Sequence, residues 1–167
     1  MEEEVFETKT IAISRVTKVT AGGKNLRFRV VVVSGNKNGK VGVGVAKGRD
    51  IPEATQKATL QAMKNLIEVP LKDGTIPFEV EAKYCSSRIL FKPQKKGRGI
   101  IAGGPIKILC ELAGIKDITS KVLSRSTNKI NLLRAAIKAL SKLKDEIDII
   151  SRRKENAASS NKTENKA

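Results

Sequence analysis

Residues 26–67 read LRFRVVVVSGNKNGKVGVGVAKGRDIPEATQKATLQAMKNLI, and this stretch decides the predicted fold. Its first part, 26–35, alternates and then becomes a run of four valines, which is typical of a central strand buried on both faces. The pair Asn38-Gly39 favours a hairpin turn. The next segment, 41–48, places valines on one face of a strand and glycines on the other. The stretch therefore predicts two antiparallel strands followed by a helix.

The helix is predicted from its first turn. Asp50 is a favoured N-cap residue, Pro52 suits the first turn, and Glu53 stands three residues after the cap. Apolar or small residues then recur at helical spacing, namely Ile51, Ala54, Ala58, Ala62 and Leu66, flanked by Leu60, Met63 and Ile67. We expect the alanines to pack closely on the sheet and the helix to stop before Pro70.

On the N-terminal side, residues 10–20 are rich in β-branched side chains and predict another strand, which the turn 21–25 joins to the next one. Three strands with short connections predict a three-stranded antiparallel sheet. Together with the helix, this sheet makes residues 10–69 a first domain. Residues 1–9 are polar and acidic, so we expect a flexible N-terminus.

A turn-rich linker at 70–77 is followed by a predicted second α+β domain at 78–150. Within it, 78–93 is typical of one or two strands. The basic, glycine-rich loop 94–105 then leads into a short helix at 106–114, which Gly114 closes.

The last part of the chain predicts one more helix and a tail. Residues 115–124 are typical of a strand or extended segment, and Thr127 or Asn128 can cap a helix at 129–144. Its apolar stripe consists of Ile130, Leu133, Ala136, Ile137, Leu140 and Leu143. From Ser151 the apolar period is lost, so residues 151–167 are predicted to be disordered.

Charge indicates the kind of partner. The chain of 167 residues has a formal net charge of +16. Ten Lys or Arg and no Asp or Glu lie between Thr8 and Arg49, and seven and none lie between Ala82 and Cys110. A surface made only for solubility intersperses both signs, so these two runs predict positive faces that bind a polyanion, nucleic acid before membrane.

Composition excludes several classes of site. Histidine is absent, which removes the commonest general base and metal ligand, so we expect neither an enzyme nor a metal or cofactor. Cys85 and Cys110 are too far apart for a zinc knuckle and are predicted to be buried free thiols. No run reaches the roughly 18 apolar residues of a membrane span. Aromatic residues make up 3% of the chain, so contact with phosphates and 2′-hydroxyls is favoured over base stacking.

Neither glycine-rich segment matches a nucleotide-binding motif. In the first, Gly35 and Gly39 are one residue too close for a Walker loop, and Lys40 is followed by valine rather than a hydroxyl residue. Gly42 and Gly44 lie within a strand, where two explanations stay open: close approach of the helix or a neighbouring strand, or close approach of an RNA backbone.

The loop 94–105 is similar to the phosphate loop of small-molecule kinases of the GHMP superfamily, although Ile100 and Ile101 replace its usual hydroxyl pair. Backbone N–H groups there could bind an anion. With Lys95, Lys96 and Arg98 alongside, an RNA phosphate is the favoured anion.

Three segments carry a resemblance to a known family. GGKNLRFRVVVVSGNKNGKVGVGVAKGRDIPEATQKA (22–58) resembles the signature of bacterial-type small-subunit ribosomal protein five. GRGIIAGGPIKILCELAGIKDITSK (97–121) and STNKINLLRAAIKAL (126–140) are similar to that family's second domain. The likeness covers about residues 11–144. Ser34, which replaces a usual aliphatic residue, and Lys129, where proline is common, depart from the pattern.

The resemblance implies a first domain like a double-stranded RNA-binding domain and a second of the left-handed β-α-β type. It implies a structural constituent of the small (30S) ribosomal subunit with roles in subunit assembly, mRNA entrance and translational accuracy. Implied partners are small-subunit rRNA, small-subunit proteins four and eight, and mRNA near its entrance tunnel, with no membrane. The implied location is the cytoplasmic ribosome, with a plastid ribosome as the alternative.

The residues expected to contact RNA fall into three groups. They are Lys18, Gly22, Gly23, Lys24 and Arg27 in the first hairpin, Asn36, Asn38, Lys40, Lys47 and Arg49 in the second hairpin and third strand, and Lys92, Lys95, Lys96 and Arg98 in the second domain. Two alternatives stay open, a free RNA chaperone and a small-molecule kinase.

Overall fold

A computed structural model describes the backbone of residues 5–164 and the side chains of residues 5–147. The elements follow one another as β1 (Glu7–Thr20), β2 (Gly23–Gly35), β3 (Lys40–Gly48), α1 (Ile51–Lys64), β4 (Leu66–Glu68), β5 (Val80–Tyr84), β6 (Ser87–Pro93), β7 (Ile100–Ile101), α2 (Gly104–Ala113), β8 (Ile118–Val122) and α3 (Lys129–Glu164). Two four-stranded sheets have the orders β1-β2-β3-β4 and β5-β6-β8-β7.

The first sheet is antiparallel, as predicted, but has one strand more than predicted. Helix α1 ends at Lys64, well before Pro70, and β4 then pairs with β3, with Ile67 opposite Val41. The predicted helical stripe included Leu66 and Ile67, and this part of it is wrong. These residues complete the open edge of β3, whose backbone groups would otherwise lack partners.

The four valines of β2 are buried on both faces of the sheet, which confirms the sequence prediction. Val30 and Val32 pack against Ala54 and Ala58 of α1. Val31 and the last valine of the run face the opposite side of the sheet, where they belong to a larger core with residues of α2 and α3. Burial on both sides explains why the pattern there is a continuous run and not an alternation.

The glycines of β3 face α1. A Cβ at Gly44 would overlap the Ala58 carbonyl and lie 2.7 Å from the Ala62 amide nitrogen. A Cβ at Gly48 would lie 2.8 Å from the Ala54 amide nitrogen. Helix packing therefore requires the absence of side chains at these positions. Of the two explanations left open by the sequence, approach of the helix is confirmed, and approach of an RNA backbone is wrong because α1 covers this face.

The second sheet contains the β-α-β unit. Strand β7 runs parallel to β8, with Ile100 opposite Ile118, and α2 connects them, whereas β5, β6 and β8 pair antiparallel. Gly114 closes α2 in the left-handed region with φ 83°, and Asn128 caps α3 by accepting the Ile130 N–H at 3.1 Å. Both caps were predicted.

One hydrophobic core connects the two sheets. It runs from Val33 and Val43 of the first sheet, through Leu109 of α2 and Leu133 of α3, to Phe91 of the second sheet. The division into domains at residues 70–77 stays a prediction, because this core is continuous across it.

Both ends of the described chain are more regular than the sequence predicted. Strand β1 begins at Glu7, where Glu7 pairs with Lys37 and the Lys9 ammonium lies 3.4 Å from the Glu111 carboxylate. Helix α3 continues to Glu164, although disorder was predicted from Ser151. That stretch lacks an apolar stripe, but its Ala, Arg, Lys and Glu residues favour helical backbone. Residues 1–4 and 165–167 lie outside the described residues.

The two cysteines have opposite environments, although both were predicted to be buried. Cys110 lies in the core on α2, where burial, followed by the charge of Glu111, raises the pKa of its thiol to about 12. Cys85 is exposed in the turn between β5 and β6, at a φ of 51°. The prediction for Cys85 is wrong because a short turn leaves no element to cover it.

We expect thiol reagents at about pH 8 to modify Cys85 quickly and Cys110 only after unfolding, because the thiolate is the reactive form. Mass spectrometry of the native chain should show one adduct, and the denatured chain two. The Cys85→Ser variant is the control and should show no native adduct. Rapid native labelling of that variant would contradict the buried position of Cys110.

Candidate nucleic-acid interface

The first predicted group lies on an arm that extends beyond the sheet. Strand β2 pairs with β3 only from Phe28 onward, so residues 23–27 pair with β1 alone. Thr17–Thr20 of β1 and all of residues 23–27 are exposed on this two-stranded ribbon. A Cβ at Gly22 or Gly23 would meet no atom within 4 Å, so the tip is open.

Cations cover both faces of this arm. Residues directly opposite in an antiparallel pair project to the same face. Lys18 lies opposite Asn25 and Arg27 opposite Val16, on one face, whereas Lys24 lies opposite Val19 on the other. Among the described side chains, no ion pair involves Lys18, Lys24 or Arg27. The arm therefore presents positive charge without internal neutralisation.

The second predicted group is divided between the two ends of the sheet. Lys47 and Arg49 are exposed at the base of the arm, since Lys47 pairs with Arg29. Asn36, Asn38 and Lys40 belong to the β2–β3 turn at the other end of β2. At the strand rise of about 3.3 Å per residue, the two turns stand about 40 Å apart. They do not form one patch.

The β2–β3 turn makes hydrogen bonds within itself and to the end of α2. The Asn36 side-chain oxygen accepts the N–H groups of Asn38 at 2.9 Å and Lys40 at 3.0 Å. The Lys37 N–H donates to the Leu112 carbonyl, and the Gly39 N–H donates to the Ala113 carbonyl, each at 2.9 Å. The turn thereby satisfies carbonyls at the end of α2, which lack helical partners.

Within this turn, Asn38 and Lys37 are exposed, but Lys37 pairs with Glu7, and Lys40 lies opposite Glu68 of β4. This leaves Asn38 as the predicted residue of the turn with the most open side chain.

The third group surrounds the glycine-rich loop of the second half. Lys92 lies 3.3 Å from Glu79, Lys96 lies 4.0 Å from Asp73, and Arg98 donates to Gln94 at 3.3 Å. All four predicted cations are exposed, so these pairs contribute little and remain open to competition from a stronger anion.

A carboxylate that the sequence reasoning missed holds this loop in place. Asp117, which is 7% exposed, accepts the Gly99 N–H at 2.7 Å. Gly97 and Gly99 have φ of 89° and 73°. The signal available in the sequence was an acid next to the apolar Ile118, since an acid that becomes buried there needs a hydrogen-bond donor.

Other cations were also missed. Arg134 of α3 donates to the Tyr84 hydroxyl at 2.9 Å, and its guanidinium carbon lies 5.6 Å from the centre of that ring. Arg29 lies half-buried between Ser14 and Lys47 on the sheet. With Asn38-Gly39 as a two-residue turn, Arg29 would lie opposite Gly48, so only the structure places it opposite Lys47.

Among the described residues, no group of three or more His, Cys, Asp or Glu could hold a metal ion. None of the helices in this part of the chain is long and apolar enough to cross a bilayer. The exposed cations of the arm and of the glycine-rich loop form open positive surfaces that suit phosphates.

Two family models match the chain in succession. Residues 6–70 match the N-terminal domain of ribosomal protein S5, and residues 82–153 match its C-terminal domain. The chain belongs to the ribosomal protein S5 family. Members of this family are structural and non-enzymatic, so the kinase alternative is excluded, and the glycine loop before α2 is part of a ribosomal protein fold.

Relatives from three Thermotoga species show the same membership. The small ribosomal subunit protein uS5 of Thermotoga neapolitana is 54% identical over 145 residues, which cover 87% of this chain and 81% of the relative. The proteins of the same name from Thermotoga maritima and Thermotoga petrophila are 51% and 50% identical over the same shares. Identity at this level extends across both sheets.

Proposed function

We propose that this chain is a structural component of the small ribosomal subunit that binds small-subunit rRNA through the arm and the glycine-rich basic loop. The observation that carries the proposal is the arm: Lys18, Lys24 and Arg27 project on two faces of a ribbon, and no carboxylate among the described side chains pairs with them. Phosphates of structured RNA supply the missing negative charge.

The contact is to backbone and shape, not to stacked bases. The chain has four Phe, one Tyr and no Trp, and its Tyr is engaged with Arg134. A ribbon that presents cations on both faces can lie against phosphates of two neighbouring strands or helices. Lys47 and Arg49 at its base and Lys92, Lys95, Lys96 and Arg98 on the loop extend the same mode of binding.

The test replaces Lys18, Lys24 and Arg27 together by Gln. Lys40 is left unchanged because it lies at the other end of β2. For rRNA binding, we expect the plot of log K against log salt to become less steep by about two units, since each lost phosphate contact contributes about 0.7–0.9 to its steepness. Binding is measured by filter retention over a series of salt concentrations.

A matched control replaces Lys64, Lys121 and Lys138 by Gln, which removes the same charge from exposed positions outside the predicted groups and outside both basic runs. Its slope should stay close to that of the unchanged chain. Equal slopes for both variants, with both folded, would mean that net charge alone binds the RNA and would refute the role of the arm.

The finer assignments rest on the family resemblance. We propose contacts with small-subunit proteins four and eight and with mRNA near its entrance tunnel, together with effects on assembly and on translational accuracy. Cross-linking within assembled subunits tests the contacts, and misreading by subunits with arm variants tests accuracy. The location proposed is the cytoplasmic ribosome, with the plastid ribosome as the alternative. A free RNA chaperone remains the second candidate, and a stoichiometry below one per sedimented subunit would favour it.

A further inference from the structure

A cleft lies between the first sheet and the start of α3. Its volume is about 410 Å³, and its lining includes Ser14 and Arg29 from the sheet and Asn128 and Lys129 from the start of α3. Among the described residues, two cations and a hydroxyl line it and no carboxylate does. The cleft is distinct from the tip of the arm and from the glycine-rich loop.

Arg29 is the unusual group in this cleft. Its Nε atom is buried and has no hydrogen-bond partner, and no ion pair among the described side chains involves its guanidinium. A buried N–H without an acceptor is costly, and it is costlier on a charged group. Within the described residues, the fold supplies no acceptor for this N–H group.

The neighbours of Arg29 increase that cost. In the strand register, Arg29 stands between Ser14 of β1 and Lys47 of β3, so all three side chains project to the same face. Like charges directly opposite on a sheet destabilise it. Lys129 lines the cleft from the start of α3, where the helix dipole adds partial positive charge. An anion in the cleft would relieve each of these costs.

We propose that the cleft binds one backbone phosphate of RNA, held by the Arg29 guanidinium with the Ser14 hydroxyl and the Lys129 ammonium. The proposal rests on the proposed function, because it assigns a further contact to the same RNA. The positive face continues from Arg29 to Arg27, which precedes it by two residues in β2 and therefore lies on the same face, and from there to Lys18 of the arm. An RNA strand that follows this face passes the mouth of the cleft.

The test compares Arg29→Gln with Arg15→Gln in the full-length chain. Arg15 lies opposite Phe28, so it occupies the same sheet but projects to the other face. Both variants lose one charge. We expect Arg29→Gln to weaken rRNA binding about tenfold and to reduce the salt slope by about one unit, and Arg15→Gln to change both less.

Thermal unfolding of the free protein separates binding from a structural role. Because Arg29 faces Lys47 and has no ion-pair partner among the described side chains, Arg29→Gln should leave the melting temperature unchanged or raise it. A lower melting temperature than that of Arg15→Gln would make Arg29 a structural residue and overturn the proposal. Equal rRNA affinity and slope for the two variants would overturn it as well.

Titration with inorganic phosphate, followed by the Arg29 Nε–H resonance in NMR spectra, identifies the source of the anion. A shift with phosphate and again with rRNA, together with weaker rRNA binding by Arg29→Gln, supports the RNA assignment. A shift with phosphate but undiminished rRNA binding would assign the cleft to free phosphate and overturn it. Absence of salt-dependent rRNA binding by the unchanged chain would refute the proposed function itself.

Discussion

Replacing Gly44 by alanine is expected to lower the free energy of unfolding by about 3 kcal/mol or more. The added Cβ would overlap the Ala58 carbonyl and stand 2.7 Å from the Ala62 amide nitrogen, both of which are main-chain atoms of α1. A flexible side chain could rotate away, but main-chain atoms move only with the helix. The helix would have to lift from β3 and open the packing of Ala54 and Ala58 on Val30.

The control for this substitution is Gly22→Ala at the tip of the arm. A Cβ there meets no atom within 4 Å, so the same chemical change is made without a clash. The unfolding free energies of the two variants, measured by urea unfolding, should differ by most of the loss expected for Gly44→Ala. A similar small loss for both would mean that α1 is not held against the glycine face of β3.

Replacing Gly114 by alanine is expected to have the second large effect, a loss of about 3 kcal/mol in unfolding free energy. Gly114 closes α2 with φ 83°, a conformation that L-residues other than glycine rarely adopt. Its Cβ would also overlap the Lys37 carbonyl group and lie 2.5 Å from its carbon atom. The β2–β3 turn, which donates two N–H groups to the end of α2, would have to move away.

Gly97→Ala separates the two causes, because Gly97 has φ 89° and open space around its α-carbon. It should show only the conformational cost of about 1–2 kcal/mol. Hydrogen exchange gives a second readout: in Gly114→Ala the amides of Lys37 and Gly39 should lose protection, and in Gly97→Ala they should keep it. Equal stability losses and equal protection would show that the turn does not depend on its contact with α2.

Much of the fold could be predicted because its signals are local. The valine run of β2, the alanine stripe of α1 and the apolar stripe of α3 each reflect a periodicity set by the backbone itself. Asn128 and Gly114 were recognisable as caps for the same reason, since a cap depends on the residue and its nearest neighbours. Charge and composition likewise indicated an RNA-binding protein and excluded histidine-based chemistry.

The errors arose where distant contacts override local preference. Leu66 and Ile67 continue the helical stripe, yet they form β4 because the edge of β3 needs hydrogen-bond partners. Asn36, Asn38 and Lys40 stay predicted RNA contacts, but the sequence did not show that the backbone of their turn also binds the end of α2. In both cases the partner, the edge of β3 or the end of α2, lies outside the segment from which the prediction was made.

The candidate site divides in the same way. The sequence by itself determined that the chain carries unbalanced positive charge in two runs, because charge is a property of each residue wherever it lies. Tertiary structure alone decided that the cations of the first run separate to opposite ends of a long strand and that α1 covers the glycine face of β3. It also decided that Arg29 lies near the start of α3 without a counterion among the described side chains. These outcomes depend on which surfaces pack together across the fold, and packing is set by contacts between residues far apart in the chain.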